Sequence, residues 1–315
     1  GDHGLSLAER MSASLHRLAW RSPVHSLRLK GRHPLKLVAV ADDPFLGDIT
    51  RGRALLGGAL VWRGETHPIA DLSLAKPKFS SEFGKYLHSF QWLRDLSSVA
   101  TRAEAAPIAE AVMRDWLAVH EKAVTEPAWR PDQWGRRILF WTAHAPLILS
   151  SSDLVYRSLV LNCIARTARH LDRGADKAPM GLPRIVAWCA IIAAGLLIPG
   201  GETRRQFGEA GLKRAIDSGI HADGGIVSRS PLAQMEAIMA LSMLRAVYDV
   251  RREKPPLFLG DALSRTVPAL LGLTHGDGGL GNWQGSDAIA PQMVDSVVQA
   301  SRVRTRPRAM FWRCV

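Results

Sequence analysis

His221-Ala222-Asp223-Gly224-Gly225 returns 54 residues later as His275-Gly276-Asp277-Gly278-Gly279. Each copy follows a stretch whose apolar residues recur at helical spacing, and the distance between them holds one helical hairpin with its loops. Repeated hairpins with equivalent loops imply a solenoid or a closed ring of helices in which both Asp-Gly-Gly turns share one face. Working outward, the same spacing predicts helices at about 134 to 149, 153 to 172, 182 to 198, 203 to 220, 231 to 251, 257 to 273 and 288 to 300. Upstream, Ile108, Ala111, Val112, Trp116, Leu117 and Val119 mark another buried helix face, with Pro107 expected in its first turn. The fold class read from this pattern is all-α, built from antiparallel helical hairpins.

The flanks read differently. Residues 1 to about 80 are broken by Pro23, Pro34, Pro44, Pro68 and Pro77 and by repeated glycines, so they read as an irregular segment: a basic amphipathic helix, loops and two short strands, one within Leu55 to Arg63. The helical domain is assigned to 81–300. Residues 301–315 carry Arg302, Arg304, Arg306 and Arg308 and close no core. They read either as a basic arm or as a chain that stops short of a further domain.

With 315 residues, 47% apolar and 22% charged, the composition excludes a disordered or collagen-like chain. A net charge of +12 favours a polyanion as partner: acidic polysaccharide, nucleic acid or an anionic membrane surface. The cations are spread along the chain rather than gathered on one predicted face, which argues against nucleic acid. The apolar run Ile185 to Ile198 is 14 residues long, short of the roughly 20 a membrane span needs, so it is expected as a core helix. The first 21 residues show none of the three regions of a signal peptide. Cys163, Cys189 and Cys314 show no C-x-x-C spacing, and no phosphate-binding, zinc-protease or nucleophile-elbow motif is present. No cofactor and no metal are therefore expected.

Two loops hold the candidate binding residues. In the first, Gly224 and Gly225 permit positive φ and close backbone approach, Ser230 and Pro231 start a helix, and Arg229 offers a bidentate grip on carboxylate or sulfate. The plain alternative is a turn between two helices with Arg229 paired to Asp223. In the second, Asn282, Trp283 and Gln284 supply a flat apolar ring and planar amides, the groups that commonly recognise a sugar. Equally, Trp283 folds back on the core. His221 and His275 complete the candidate contacts, while Asp223, Gly224, Gly225, Asp277, Gly278 and Gly279 are assigned to loop structure. Leu87-His88-Ser89-Phe90-Gln91-Trp92-Leu93-Arg94-Asp95-Leu96 reads as core through Trp92 and Leu96, with Arg94 and Asp95 as a surface pair, in preference to a groove lined by His88, Trp92 and Arg94. His144, His170, Met235, Met239 and Met243 read as packing or surface residues.

Taken in order, Asp43-Pro44 to Asp48, the Leu87–Leu96 run, Trp134 to Trp141, Leu182-Pro183-Arg184-Ile185, Asp223-Gly224-Gly225 to Arg229-Ser230-Pro231, and Gly276-Asp277-Gly278-Gly279-Leu280 resemble the heparinase II/III-like polysaccharide lyases. The likeness covers about residues 35 to 300. It implies an incomplete (α/α) toroid followed, in family members, by a large C-terminal β-sandwich missing from this sequence. It further implies an acidic polysaccharide as partner, a periplasmic or cell-envelope setting, and β-elimination at a uronic acid. That reaction needs its carboxylate neutralised and its C5 proton taken by a Tyr or His base. The sequence departs from the pattern at two places. Ala233-Gln234 stands where a Tyr-His pair is common, and Met180-Gly181-Leu182-Pro183 where an Asn is common. The catalytic base is unassigned, and the reading is an acidic-polysaccharide-binding toroid inactive by itself. The alternatives are a non-catalytic glycan-binding or scaffold protein and a basic helical-repeat nucleic-acid binder.

Overall fold

Helix formation around the apolar run is dictated by composition: Ile185 to Leu197 contains no charge and no proline, and every residue of it is buried. A helix apolar all round must be enclosed by others, and here it lies at the centre of the packing. The structure is a computed structural model that describes residues 6–20, 22–31, 34–75, 77–286 and 289–305. In chain order it contains α1 (Leu7–Ala19), α2 (Pro23–Arg28), α3 (Ile49–Leu56), β1 (Ala59–Trp62), β2 (Glu65–Pro68), α4 (Ser81–Ser89), α5 (Trp92–Ser97), α6 (Arg102–His120) and α7 (Pro131–Ala143). It continues with α8 (Ala145–Ile148), α9 (Leu154–Gly174), α10 (Leu182–Leu197), α11 (Glu202–Gly219), α12 (Pro231–Arg251), α13 (Leu257–Leu271) and α14 (Pro291–Ala300). The all-α class holds, with β1 and β2 forming one antiparallel hairpin, Ala59 opposite Pro68.

The helices alternate between two rows. α7, α10, α12 and α14 make an inner row in which α10 packs on α7 and α12, and α12 on α14. α9, α11 and α13 lie outside, α9 on α7 and α10, α11 on α10, and α13 on α12. Every inner helix has a proline at its first or second position, Pro131, Pro183, Pro231 and Pro291. Proline suits that place because the first-turn N–H groups have no helical acceptor. All four starts lie at one end of the array. Pro131 sits at the end of α9 by Gly174, Gly181 meets Gly219 at the end of α11, and Pro291 lies against Gly278.

The last helix starts at Pro291 rather than 288, and two further boundaries differ from the sequence expectation. The helix through Ile108 starts at Arg102, because Thr101 and Glu104 form a capping box, which leaves Pro107 inside the helix rather than in its first turn. The segment expected as one helix at 134 to 149 is two, broken at His144 (φ −104°, ψ 23°) ahead of Pro146. Proline has no N–H to continue the ladder and clashes with the preceding turn.

The buried face of α6 and α7 is aromatic. Trp116, Trp129, Trp134 and Trp141 are fully buried, and the Arg137 guanidinium lies 3.8 Å from the Trp134 ring centre and 4.2 Å from that of Trp116. Arg137 donates from Nε to the His88 carbonyl at 2.8 Å and from Nη2 to the Ala128 carbonyl at 2.9 Å. It thus ties the end of α4 and the turn before α7 to the helix itself.

The segment before α4 is fastened by two buried carboxylates. Trp92 and Leu96 are core as expected, but Arg94 and Asp95 are not a surface pair. Asp95 is buried and accepts from Arg51 Nε at 2.7 Å, from Tyr86 Oη at 3.0 Å and from the Asp48 N–H at 2.7 Å. Arg94 instead donates to Asp43 at 2.7 Å, and His144 reaches the same carboxylate at 3.1 Å. A charge pair joined across 51 residues cannot be assigned from neighbours in sequence. Burial opposes the Asp43 charge, yet the Arg94 cation and the hydrogen bonds from His144 and Arg94 prevail and hold its pKa at about 2.

Helices α1 and α2 dock on α9 through three histidines. His25 Nε2 lies 3.2 Å from His170 Nδ1, His170 Nε2 lies 3.0 Å from the Trp129 carbonyl, and the His16 ring is 6.4 Å from that of His170. Burial lowers all three pKa values, assisted for His25 by His16 and nearby arginines, to about 4 for His25 and about 3 for His170. In the unfolded chain these rings protonate near the ordinary 6.5, so below that pH the unfolded state binds more protons and stability falls with acidification. The expected result is a urea midpoint level above about pH 6.5 and dropping steadily toward about pH 4. The Asp43 contribution is lost only below that, as pH falls from 3.8 toward 2. A midpoint that stays constant from about pH 7 to about pH 4.5 would contradict the neutral-histidine packing.

Candidate functional site

The two Asp-Gly-Gly turns have the same geometry, bond for bond. In the first, His221 N–H donates to the Gly225 carbonyl at 2.9 Å, Gly224 N–H to the His221 carbonyl at 3.0 Å, and Gly225 N–H to Asp223 Oδ1 at 2.8 Å. In the second, His275 N–H donates to the Gly279 carbonyl at 2.8 Å, Gly278 N–H to the His275 carbonyl at 2.9 Å, and Gly279 N–H to Asp277 Oδ1 at 2.8 Å. Each turn is closed by a β-bridge, Ile220 with Ile226 and Thr274 with Leu280. Gly224 and Gly278 have φ of +83° and +85°, a region costly for any residue with a Cβ.

Both turns lie at the end of the array where the inner helices start, and Ser286 joins them. Its Oγ accepts from the Leu232 N–H at 2.8 Å and lies 3.1 Å from Ser230 Oγ, the side chain that caps α12. The first loop is braced from beneath by Gln234, which is fully buried. Its Oε1 accepts from the Ile226 N–H at 2.7 Å, and its Nε2 donates to the carbonyls of Gly224 at 2.8 Å and Thr266 at 2.9 Å. In the sequence Gln234 marks only a departure from the Tyr-His pattern; in the structure it holds the loop to α13. A polar residue on the apolar face of α12 was the available signal.

The candidate contacts fall into two groups. Arg229, in the left-handed region at φ +53°, donates to Asp223 Oδ2 at 2.7 Å, and both side chains are more than half exposed. The Arg229 hydrogen bond is the main cause of a lowered Asp223 pKa. The pairing foreseen as the plain alternative is present, and it leaves the guanidinium at the surface. His221 is exposed beside it. In the second loop the Trp283 ring is 42% exposed and stands edge-on to His275, with ring centres 6.2 Å apart. It lies directly over Gly281, where a Cβ would come within 2.0 Å of the ring. Asn282 and Gln284 flank it, both exposed. Arg229, His221, His275, Asn282, Trp283 and Gln284 are thus all exposed on the two loops.

None of the three tyrosines is exposed at these loops. Tyr86, Tyr156 and Tyr248 are all buried, and burial lifts each above the ordinary phenol range, with Asp95 adding to Tyr86, Glu110 to Tyr156 and Glu209 to Tyr248. Across the inner row, Arg136 of α7 pairs with Glu236 of α12 at 2.7 Å. Among the described residues no cluster of His, Cys, Asp and Glu is arranged to hold a metal ion, and no helix is long and apolar enough to cross a membrane.

Comparison with solved structures places this arrangement. A crystal structure of heparinase III aligns with 86% of the chain at a TM-score of 0.55 and 14% identity, and a second heparinase III structure with 95% at 0.53 and 14%. The fold is that of the heparinase III helical toroid. A mutant of heparan sulfate lyase HepC from Pedobacter heparinus shares this heparinase III-like fold at a TM-score of 0.53 and 17% identity. The toroid inferred from the motif resemblance is therefore present, and the chain spans 45%, 52% and 44% of those three structures in turn. Among curated proteins, FtsZ-localized protein C of Caulobacter vibrioides is 29% identical over 285 residues, covering 86% of this chain and 46% of its own length. The chain thus spans under half the length of that relative. No family model matches the sequence.

Proposed function

We propose that this chain is the acidic-polysaccharide-binding toroid of a heparinase II/III-like protein, that it receives its ligand at the end carrying both Asp-Gly-Gly loops, and that alone it binds without turning over. The observation that carries this reading is the rim itself: Arg229 and the half-exposed Trp283 stand on two rigid, equivalent turns joined through Ser286. The first-turn N–H groups of four inner helices lie at the same end and add favourable potential for anions. A net charge of +12 supports a polyanion over a neutral glycan. β-Elimination also needs a base within reach of the C5 proton. Gln234 is consumed in bracing the loop, the tyrosines are buried, and neither His221 nor His275 stands at the position where the resemblance expects the base, so ground-state binding here leaves the chemical barrier in place.

The test is a panel of heparan sulfate, glucuronan and alginate. Binding is expected at low salt and weakens as salt screens the charges. Arg229→Ala and Trp283→Ala are each expected to weaken it about five- to tenfold. No ultraviolet absorbance from unsaturated uronate is expected. Product absorbance that disappears in Arg229→Ala would make the chain a self-sufficient lyase. A second reading, a scaffold that carries no glycan, is favoured by the Caulobacter relative, whose name records a localisation with FtsZ and no reaction. It predicts no retention on any of the three polymers.

A further inference from the structure

Helix α1 is amphipathic, but it packs on the body with its less apolar side. Toward the body it places Ala13 and Trp20, which are buried, with Ser12 Oγ 2.6 Å from Lys177 Nζ and Glu9 3.5 Å from Arg184. Leu7, Met11, Leu15 and Leu18, spaced four, four and three residues apart, form one line on the opposite side. They are 79%, 68%, 64% and 65% exposed. A soluble helix ordinarily buries such a stripe and leaves its serines outside. On the next helix, Val24 and Leu27 are exposed as well.

The charge around this stripe is one-sided. From Ser6 to Gly31 the sequence has one acid, Glu9, against Arg10, Arg17, Arg21, Arg28 and Lys30. The Glu9 carboxylate is engaged by Ser6 in the capping box and faces Arg184, and Glu126 stands 3.5 Å from Arg17, so two acids stand against the five cations of this stretch. We infer that the outward face of α1, with its flanking cations, is a docking surface for an anionic phospholipid membrane. The apolar line would sink into the acyl boundary while the cations meet headgroup phosphates.

The other occupants fit less well. An acidic glycan satisfies the cations and offers nothing to four aliphatic side chains. A second copy of the chain needs roughly 800 Å² per partner for a stable interface, more than four side chains on one helical line supply. A lipid interface accepts such a narrow line, because each side chain partitions separately.

The full chain is tested by co-sedimentation with vesicles of phosphatidylcholine alone and with about 40% phosphatidylglycerol. Anionic vesicles are expected to take up the protein and neutral ones to leave most of it in solution. Met11→Glu with Leu15→Glu should lower uptake on the order of tenfold. Leu7→Ser with Leu18→Ser provides a second variant in which no charge is introduced. Leu154→Glu with Val155→Glu, exposed on α9, should bind as the parent does. Far-UV circular dichroism is expected to be unchanged throughout, since every substituted side chain is exposed. Three results overturn the inference: no uptake by anionic vesicles at low salt, uptake indifferent to both α1 variants, or vesicle-free self-association that the α1 variants abolish. The last would show that a second copy covers the stripe. Glycan retention is read separately, so either proposal can fail alone.

Discussion

Replacing Arg137 with alanine is expected to cost about 4 kcal/mol of stability, enough to unfold many domains of ordinary margin. Two buried carbonyls, those of His88 and Ala128, would lose their donor, at about 1 to 3 kcal/mol each. A cavity would open between the Trp116 and Trp134 rings, and the desolvated cation–π contact with both would disappear. Relief of the cost of a buried cation returns part of this, because among the described residues no carboxylate pairs with Arg137 and burial pushes its pKa well down. Arg137→Met keeps the volume and removes the charge, so it should lose roughly half as much. The measurement is the urea midpoint at constant slope. An alanine variant within about 1 kcal/mol of the parent would mean that the guanidinium is not what ties α4 to α7.

The second large effect separates the twin turns. Gly224→Ala should destabilise by about 3 kcal/mol and Gly278→Ala by about 1 kcal/mol, although the two glycines share a motif and a φ. At Gly224 a Cβ would stand 2.1 Å from the Arg265 carbonyl oxygen and 2.7 Å from its carbon, so α13 must move. At Gly278 the nearest neighbour is Pro291 Cβ at 3.4 Å, ordinary contact, leaving only the backbone term. Moving α13 also strains the Gln234 bond to Thr266. Gly224→Ala should therefore weaken glycan retention along with stability, while Gly278→Ala leaves retention near the parent value. Equal losses at the two positions would rule out the close packing of the first turn against α13.

What the sequence made legible was local. The apolar periodicity from 153 to 273 marks α9 through α13 to within two residues at each end, since a helix that buries one face repeats its pattern every turn. The paired His-x-Asp-Gly-Gly turns announce themselves because the Asx bond to the second glycine is made within five residues. The break at His144 lay in Pro146, read as part of a continuous stretch, and the start of α6 lay in Thr101 and Glu104, upstream of the first periodic residue. The ties of Asp43 to Arg94 and His144, and of Arg51 to Asp95, span 51, 101 and 44 residues. No spacing rule reaches that far, so Arg94-Asp95 looked like an ordinary exposed pair. In the candidate site, Arg229 and Trp283 were visible by type, whereas Gln234 and Ser286 acquire their roles only when α12, α13 and the second loop come together.

The central position of α10 has a consequence for how the chain must be made. Synthesis is vectorial, and the helices that cover α10 on its far side, α11 and α12, end at Gly219 and Arg251. At about 5 to 20 residues per second, the ribosome takes roughly 3 to 10 s to add the stretch from the end of α10 to the end of α12. Because the exit tunnel holds roughly the last 35 residues made, α10 stands outside it, covered on one side only by α7 and α9, during an interval of that length displaced downstream by the same distance. Translation speed over about residues 232–286 should therefore govern the yield of soluble chain more strongly than speed over the rest of these residues. A slow codon cluster there prolongs the exposure, while one placed beyond about residue 286 falls when α10 is already enclosed.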